Sequence, residues 1–416
     1  MTSPLAGNRD ADAMTQAARY DPAAFAASVF DPARLRLLPG AHPPRLTVCL
    51  PHLHRDHVFG GLASVLELAR FLAPRYPSVR FVSLTPLPGA ADRLDPAPFV
   101  RRPGDPPPEV ASVHDDAPLA VHGGDIFLCT FWRAVPVWEA FSERLRQAGR
   151  PANPFYYFIQ DWEPGFYPMG LDHMLAEATY GHGEACTAVI NSVELARFLT
   201  KKRYALGRAV AVRPSLNPVL AEALAGMGRR LPPRAADRLT ILVYGRPGHH
   251  RNCFPAALAC LWAWLAAYRP ACALPVTLLS AGTLHEDVAF PDGTTLVSRG
   301  MLSLPEYAAT LMQSHVGLSF MASPHPSYPP LEMASFGLEV VTNAYPCKDL
   351  AAGHPSIRNA PMHRPAQAAA VLDQAVKAAL ADAGRPRQAL LPQSVSPEGW
   401  QENFRRAGIP VLAPAV

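Results

Sequence analysis

Two arginines lie five residues apart in a loop between an apolar run at 239–244 and an apolar helical pattern at 253–268. Guanidinium groups are permanently charged, bidentate donors to phosphate oxygens, and the N-terminus of a following helix adds a favourable dipole. A glycine and a proline shape this loop. The spacing therefore predicts a diphosphate-binding loop in which Gly245, Arg246 and Arg251 contact the ligand. A solvated basic turn is the alternative.

A glutamate in the first turn of a predicted helix is a second candidate ligand group. A strand pattern at 316–321 leads into a loop with four prolines, and Glu332 follows at the start of the next helix. A carboxylate there can accept hydrogen bonds from ribose hydroxyls, or it can simply complement the helix dipole. We expect Ser327, Tyr328 and Glu332 to contact a nucleotide, and Gly300 and Leu302, in another loop after a strand, to contribute to the same site.

Three histidines and an aspartate form the pattern HxHxDH, with His52, His54, Asp56 and His57. The pattern resembles the signature of metallo-β-lactamase-like hydrolases, whose side chains hold two zinc ions that activate water. That family has a sheet sandwich, however, and the downstream His122 lacks the usual surrounding sequence. At a helix N-terminus, Gly60 and Gly61 would instead let backbone N–H groups approach a phosphate or sugar. Surface histidines without function are a third reading.

The order of the predicted elements is α/β. Near-continuous apolar runs alternate with helical patterns in both halves of the chain, which indicates parallel sheets covered by helices. We predict two Rossmann-like domains facing a central cleft, with ligands bound beyond the carboxyl ends of the strands. Ser192 is a candidate N-cap for the helix that follows it. The predicted organisation is an extension at 1–40, a first domain at 41–213, a linker at 214–238, a second domain at 239–395, and a C-terminal helix at 396–416 that packs back across the domains.

Composition excludes several classes of protein. The 416 residues are 49% hydrophobic and carry a net charge of +4, so neither general disorder nor a nucleic-acid-binding footprint is indicated. Seven cysteines form no CxxC pair, which favours a reducing compartment over a disulfide framework. The apolar stretch at 253–268 is shorter than a membrane span, and the polar start lacks the pattern of a signal peptide. We expect a cytoplasmic protein, with peripheral association at the inner face of the membrane left open.

Taken together, these motifs resemble the GT-B glycosyltransferases. Gly245-Arg246 with Arg251 is similar to their Gly-Arg…Lys diphosphate loop, and residues 331–340 are similar to their glutamate-containing ribose helix. A narrower resemblance, to the WsaF-type rhamnosyltransferases, is carried by 157–167, 243–247 and 323–332. The chain departs from many GT-B enzymes at Pro324, where they carry a sugar-binding glutamate, and at Glu339, where proline is common.

The resemblance implies a mechanism. An L-rhamnosyl or related 6-deoxyhexosyl group would pass from a dTDP-sugar to a hydroxyl of an oligosaccharide or lipid-linked glycan, with no cofactor and no metal, since arginines and helix N-termini would stabilise the leaving diphosphate. If the reaction inverts, a general base must deprotonate the acceptor. Asp161 is the first candidate and Glu163 and His57 are the next, although Asp161 could merely cap a turn. Aromatic side chains near this position could form walls for the acceptor: Trp162, Phe166 and Tyr167.

Two other classes remain as alternatives. One is the binuclear zinc hydrolase that uses the pattern at 52–57. The other is a non-catalytic GT-B-like subunit that binds a nucleotide-sugar or a glycan. A dinucleotide-dependent dehydrogenase is disfavoured because no GxGxxG follows a strand.

Overall fold

The first half of the chain forms a parallel sheet covered by helices. The computed structural model describes residues 30–55, 60–99 and 107–415. The strands of this half are β1 Leu35–Leu38, β2 Arg45–Leu50, β3 Ser78–Ser83, β4 Glu109–Ser112, β5 Leu119–His122, β6 Asp125–Cys129, β7 Phe155–Ile159, β8 Cys186–Ile190 and β9 Arg208–Ala211. The helices are α1 Gly60–Leu72, α2 Val135–Gln147, α3 Leu171–Ala178 and α4 Val193–Lys202.

Seven of these strands make one sheet in the order β4-β3-β2-β6-β7-β8-β9, and every neighbouring pair is parallel. Strands β6, β7 and β8 are buried along their whole length, which explains their largely apolar sequences. From β2 the chain continues to β3 on one side of the sheet, and from β6 it continues to β7 on the other side. The loops that follow these two strands therefore diverge and leave a crevice at the carboxyl edge.

The second half repeats this architecture. Its strands are β10 Arg230–Leu231, β11 Leu239–Gly245, β12 Val276–Gly282, β13 Val288–Ala289, β14 Thr295–Ser298, β15 Val316–Leu318, β16 Glu339–Thr342, β17 Ile357–Asn359 and β18 Arg387–Gln388. The helices are α5 Pro218–Gly226, α6 Phe254–Ala267, α7 Leu304–Gln313, α8 Tyr328–Ser335, α9 Pro365–Ala381 and α10 Trp400–Ala407.

The second sheet has the order β13-β14-β12-β11-β15-β16-β17, and it is parallel except for the short edge strand β13. Its order reverses between β11 and β15, so a second crevice opens where the loops after these strands separate. Apolar clusters cover both faces of each sheet. The predicted α/β class with two Rossmann-like domains is confirmed.

Helix α4 shows how local sequence sets an element boundary. Ser192 has an extended backbone, and its side chain accepts a hydrogen bond from the backbone N–H of Leu195 at 2.9 Å. This bond satisfies one of the free N–H groups of the first turn, as predicted for an N-cap. The asparagine immediately before the cap, Asn191, is thereby held at the mouth of β8, where it faces the second domain.

Several segments are more ordered than the sequence patterns suggested. The predicted linker at 214–238 contains α5 and β10, and α5 packs against α7 of the second domain. Helix α9 fills most of the connection between β17 and β18. Strand β1, inside the predicted N-terminal extension, pairs with β5.

The end of the chain returns to the first domain. Helix α10 packs on α1, where Phe404 is fully buried and its ring lies 5.6 Å from that of Phe71. Beyond the helix, the hydroxyl groups of Tyr76 and Tyr156 bind the backbone of Leu412. The last segment therefore completes the core of the first domain.

Within residues 30–55, 60–99 and 107–415, no helix combines the length and the apolar character needed to cross a membrane.

Candidate active site between the two domains

A cavity of about 720 Å³ lies between the carboxyl edges of the two sheets. Its volume falls within the usual range for small-molecule sites, roughly 300–1,000 Å³. Both switch points contribute to its wall, because the loops after β2 and β6 approach it from one side and those after β11 and β15 from the other. The lining includes most residues proposed from the sequence: Gly60, Gly61, Asp161, Glu163, Phe166, Arg246, Arg251, Leu302, Ser327, Tyr328 and Glu332.

The loop after β11 directs both arginines toward the cavity. The backbone N–H of Arg246 donates to Oδ1 of the buried Asn252 at 2.9 Å, which closes the loop. The Arg246 guanidinium contacts the Tyr244 hydroxyl and Nε2 of His249. Burial, followed by the charge of Arg246, lowers the pKa of His249, so its imidazole accepts this hydrogen bond in the neutral form. The guanidinium is thus oriented by neutral partners and keeps its charge for a ligand.

Asp161 joins the two domains. It follows β7 in the first domain and forms an ion pair with Arg251 of the second. Its Oδ1 accepts hydrogen bonds from the Ser323 hydroxyl at 2.5 Å and from the Trp162 backbone N–H at 2.7 Å. The turn-capping contact considered in the sequence is therefore present, together with a contact across the cleft. The guanidinium of Arg251 also lies over the ring of Phe166, 4.0 Å from its centroid.

Glu163, two residues further on, is in a very different environment. Only 1% of its surface is exposed, and its Oε2 accepts hydrogen bonds from the Trp132 backbone N–H at 2.7 Å and the Tyr157 hydroxyl at 3.1 Å. Burial raises the pKa of Glu163 to about 8. The side chain is therefore largely protonated at neutral pH, where it fixes the loop after β6 and is a poor proton acceptor.

Glu332 lies in the second turn of α8, because this helix begins at Tyr328, earlier than the sequence pattern indicated. The expected position in the first turn is therefore wrong, although the side chain does line the cavity. It is 9% exposed and accepts a hydrogen bond from the hydroxyl of Tyr307 on α7. Burial raises the pKa of Glu332 to about 7. A hydroxyl pair that donated to this carboxylate would favour its ionised form and would be bound in return.

Two polar residues that were not proposed from the sequence also line the cavity. Asn191 is fully buried, and its amide group donates to the Tyr328 hydroxyl at 2.9 Å, whereas its Oδ1 has no hydrogen-bond partner within the described residues. Nδ1 of His325 accepts from the Ser327 backbone N–H, and Nε2 then donates to the Asn191 carbonyl at 3.1 Å. Asn191 follows directly after β8, much as Asp161 follows β7, and this place after a strand is the signal that could indicate it.

Four proposed contacts lie behind the cavity wall. A Cβ on Gly245 would be 2.0 Å from Ser280 Oγ, so this glycine permits tight packing between β11 and β12. Gly300 adopts a positive φ of 61° beside Leu284, while its neighbour Met301 reaches the cavity.

The other two are the aromatic residues Trp162 and Tyr167. The Trp162 indole N–H donates to Tyr204. The Tyr167 hydroxyl accepts from Trp132. Both hydrogen bonds hold the rings away from the cavity. Of the three aromatic residues proposed for the acceptor, only Phe166 lines it.

The space at Gly61 is used by protein atoms. A Cβ on Gly61 would lie 1.9 Å from Oε1 of Gln160, and the amide group of Gln160 is held by the carbonyl of Thr130 at 2.8 Å. The space left by the missing side chain of Gly61 is therefore occupied by the side chain of Gln160.

The histidine pattern at 52–57 is only partly described. Asp56 and His57 lie outside the described residues, so the proposal of His57 as a base has no structural outcome. His52 lines the cavity, whereas His122 stacks on His42 with ring centroids 4.4 Å apart. Within the described residues, no group of three or more metal-ligating side chains is present. The two parallel sheets also differ from the sheet sandwich expected of the zinc hydrolase.

Two Rossmann-like domains facing a ligand-sized cleft define the GT-B architecture of glycosyltransferases. Sucrose-phosphate synthase from Thermosynechococcus elongatus has this fold, with 14% identity, coverage of 88% of this chain and 94% of that chain, and a TM-score of 0.52. An α,α-trehalose 6-phosphate synthase from Burkholderia multivorans is similar at 13% identity, 88% and 93% coverage, and a TM-score of 0.52.

The family is narrower than this fold. Residues 45–193 match the family described as WsaF, N-terminal domain, and residues 239–373 match WsaF, C-terminal domain. The two matches together span about two thirds of the sequence, and the chain belongs to the WsaF family of GT-B glycosyltransferases.

A curated relative supports the same conclusion over part of the chain. The O-antigen biosynthesis protein RfbC of Myxococcus xanthus is 34% identical over 190 residues, which represent 46% of this chain and 14% of the relative. This chain therefore matches only a small part of that longer protein. The resemblance stated from the sequence, to WsaF-type GT-B enzymes, is confirmed.

Proposed function

We propose that the protein transfers an L-rhamnosyl group from dTDP-L-rhamnose to a hydroxyl of a growing surface polysaccharide, without a metal. The observation that carries this proposal is the meeting of the two halves of the site. Arg246, Arg251 and Glu332 of the second domain share one cavity with Asp161 of the first. A nucleoside diphosphate and a proton acceptor would therefore have neighbouring places in the same space.

The donor half would bind the diphosphate and the pentose separately. Arg246 and Arg251 supply two guanidinium groups on one loop, and such groups form charge-assisted hydrogen bonds with phosphate oxygens. Glu332 faces the same cavity and would accept hydrogen bonds from the pentose hydroxyl. A thymidine nucleotide presents a single 3′-hydroxyl for this contact. The contact with the pentose does not identify the base, which other residues must recognise.

The reaction would be a single displacement. The acceptor oxygen attacks the anomeric carbon from the face opposite the diphosphate, the bond between that carbon and the phosphate oxygen breaks, and the diphosphate leaves with the electron pair. Asp161 would take the acceptor proton. The guanidinium groups would stabilise the charge that develops on the leaving group, which is the role a metal has in other transferases.

The acceptor would be a glycan. The relative named for O-antigen biosynthesis matches this chain over 190 residues, which supports a role in the synthesis of a polysaccharide. Phe166, the aromatic residue at the cleft wall beside Asp161, would contact the apolar face of the acceptor sugar. A lipid-linked acceptor would bring the enzyme to the surface of a membrane.

Titration calorimetry with dTDP tests the donor half. We expect Arg246→Ala to weaken dTDP binding by about 10- to 100-fold, which corresponds to the loss of hydrogen bonds to a charged group. We expect Glu332→Gln to weaken it by roughly tenfold. The matched control is Arg238→Ala, which removes an exposed arginine of the same domain that pairs with Asp237. If dTDP affinity is the same in wild type, Arg246→Ala and Glu332→Gln, the donor assignment is wrong.

Turnover measurements test the sugar and the metal requirement. Purified protein should release dTDP from dTDP-L-rhamnose in the presence of a glycan acceptor, at a rate that EDTA leaves unchanged. UDP-glucose should be a poor donor. Activity that is lost with EDTA and restored by a divalent cation would contradict the metal-free mechanism, and preference for UDP-glucose would contradict the donor.

A further inference from the structure

The ion pair between Arg251 and Asp161 brings together two residues with separate tasks in the proposed reaction. Arg251 would bind the donor diphosphate, and Asp161 would accept the proton of the acceptor. In the structure, the guanidinium contacts Oδ2 of Asp161. A carboxylate oxygen held by a guanidinium is covered and is not open to an acceptor hydroxyl, and a guanidinium held by a carboxylate has fewer N–H groups open to a phosphate. The two functions oppose each other in this arrangement.

Arg251 is built so that its side chain can move while its backbone stays. Its carbonyl group accepts a hydrogen bond from the Ala322 backbone N–H at 2.8 Å, which ties it to the loop after β15. The side chain of Arg251 is 27% exposed and lines the open cavity. Its stacking on the ring of Phe166 is not directional in the way a hydrogen bond is, so the guanidinium can slide along the ring toward a ligand.

Asp161 is held differently at its two oxygens. Oδ1 is fixed by the Ser323 hydroxyl and by the Trp162 backbone N–H, whereas the ion pair with Arg251 is made by Oδ2. Departure of Arg251 would therefore leave the carboxylate in place with Oδ2 free. The buried Lys348, whose ammonium group binds the Met321 carbonyl at 3.1 Å, is a second positive charge near this carboxylate.

We propose that the donor diphosphate and Asp161 compete for Arg251. Binding of the donor moves the guanidinium from Oδ2 of Asp161 to the diphosphate, which frees Oδ2 to accept the proton of the acceptor hydroxyl. After transfer, Asp161 releases the acquired proton to solvent, and departure of the nucleoside diphosphate returns Arg251 to the ionised carboxylate. Arg251 is then a positioning residue that makes the base available only when a donor is bound. This inference rests on the proposed donor site.

Binding of dTDP to a set of four proteins tests the competition: wild type, Asp161→Asn, Arg251→Ala and the double variant. The asparagine keeps the size of the side chain and can keep the contacts of Oδ1. Removal of the competing charge should tighten dTDP binding by about 5- to 20-fold in Asp161→Asn. Arg251→Ala should weaken binding at least tenfold. In the double variant, Asp161→Asn should have no further effect, so its affinity should match that of Arg251→Ala within about twofold.

Each other result overturns the inference. If Asp161→Asn binds dTDP no better than wild type, the residues do not compete. If Asp161→Asn tightens binding equally with and without Arg251, the aspartate acts by simple repulsion of the diphosphate, and the exchange is excluded. If wild type fails to bind dTDP at all, the proposed donor site is wrong, which is a distinguishable failure.

Two further proteins separate positioning from a loss of structure. Glu143→Gln alters an exposed carboxylate of the first domain that pairs with Arg146 and does not line the cavity, so its dTDP affinity should equal that of wild type. Arg251→Lys keeps the charge but not the planar guanidinium. It should recover part of the dTDP affinity lost in Arg251→Ala, and turnover should rise in parallel; no recovery of either would contradict the role assigned to Arg251.

Discussion

Replacement of Glu163 by glutamine should change how the stability of the protein depends on pH. Burial raises the pKa of this carboxyl group from 4.5 to about 8 in the folded protein. Since the folded state binds the proton more tightly than the unfolded state, the contribution of Glu163 to stability is complete below about pH 4.5. It is lost as the pH rises through 8, where the buried side chain ionises.

The size of this effect follows from the difference between the two pKa values. One pKa unit corresponds to about 1.4 kcal/mol, so the difference amounts to at most about 5 kcal/mol. Glutamine has the same shape and can accept the same hydrogen bonds from Trp132 and Tyr157 through its carbonyl oxygen, but it does not ionise. We therefore expect Glu163→Gln to gain a few kcal/mol relative to wild type between pH 5 and pH 9.

Urea unfolding at a series of pH values measures this difference. Tryptophan fluorescence is a suitable signal because Trp132, Trp138 and Trp162 belong to the first domain. The control is Glu143→Gln, which removes an exposed carboxylate paired with Arg146 on α2. A free-energy difference between wild type and Glu163→Gln that stays constant from pH 5 to pH 9 would refute the reasoning, since a buried carboxyl group with a raised pKa must produce a slope.

Three further substitutions test individual contacts. Ser192→Ala removes the N-cap of α4 and should lower the free energy of unfolding by about 1 kcal/mol, measured by chemical denaturation. Phe404→Ala opens a cavity where α10 packs on the first domain and should cost about 3–5 kcal/mol in the same assay; a cost below about 1 kcal/mol would show that α10 contributes little. Asn191→Ala removes an unpaired buried oxygen from the cavity and should raise KM for donor or acceptor about tenfold. Tyr328→Phe, which deletes only the hydroxyl that Asn191 binds, should have a smaller effect, and an equal effect would contradict a role for Oδ1 of Asn191 in binding substrate.

The sequence was informative about the fold because buried parallel strands carry a simple pattern. The bounds of strand β7 follow from the sequence, since an apolar run buried on both faces needs no alternation and is bounded by polar loops. The positions of the two arginines at the end of β11 could also be predicted. Once a strand and the following helix are recognised, the loop between them lies at the carboxyl edge of the sheet.

Helix α9 is hard to recognise from apolar spacing, although its composition favours a helix. Its 17 residues, Pro365–Ala381, are rich in alanine, which has the highest intrinsic helix propensity, and a proline stands at the first position. The buried face of α9 consists largely of small residues, so the strong apolar periodicity of an amphipathic helix is weak here.

The pairing of Asp161 with Arg251 could not be predicted from local patterns. The two residues are 90 positions apart and belong to different domains. Each was recognised as a candidate from its place at the end of a strand, but the angle between two domains decides which loops meet across a cleft. The contacts of Asn191 with Tyr328 and His325 are hidden from the sequence for the same reason.

The return of α10 to the first domain has a consequence for dissecting the protein. A fragment that ends at residue 213 would lack Trp400 and Phe404, and the hydrophobic surface of α1 and β7 that these rings cover would be exposed to water. Proteolytic or recombinant halves would therefore tend to aggregate unless a peptide spanning 396–415 were supplied in trans. Because the chain passes from one sheet to the other and back, the core of the first domain is complete only when residues 396–415 are present.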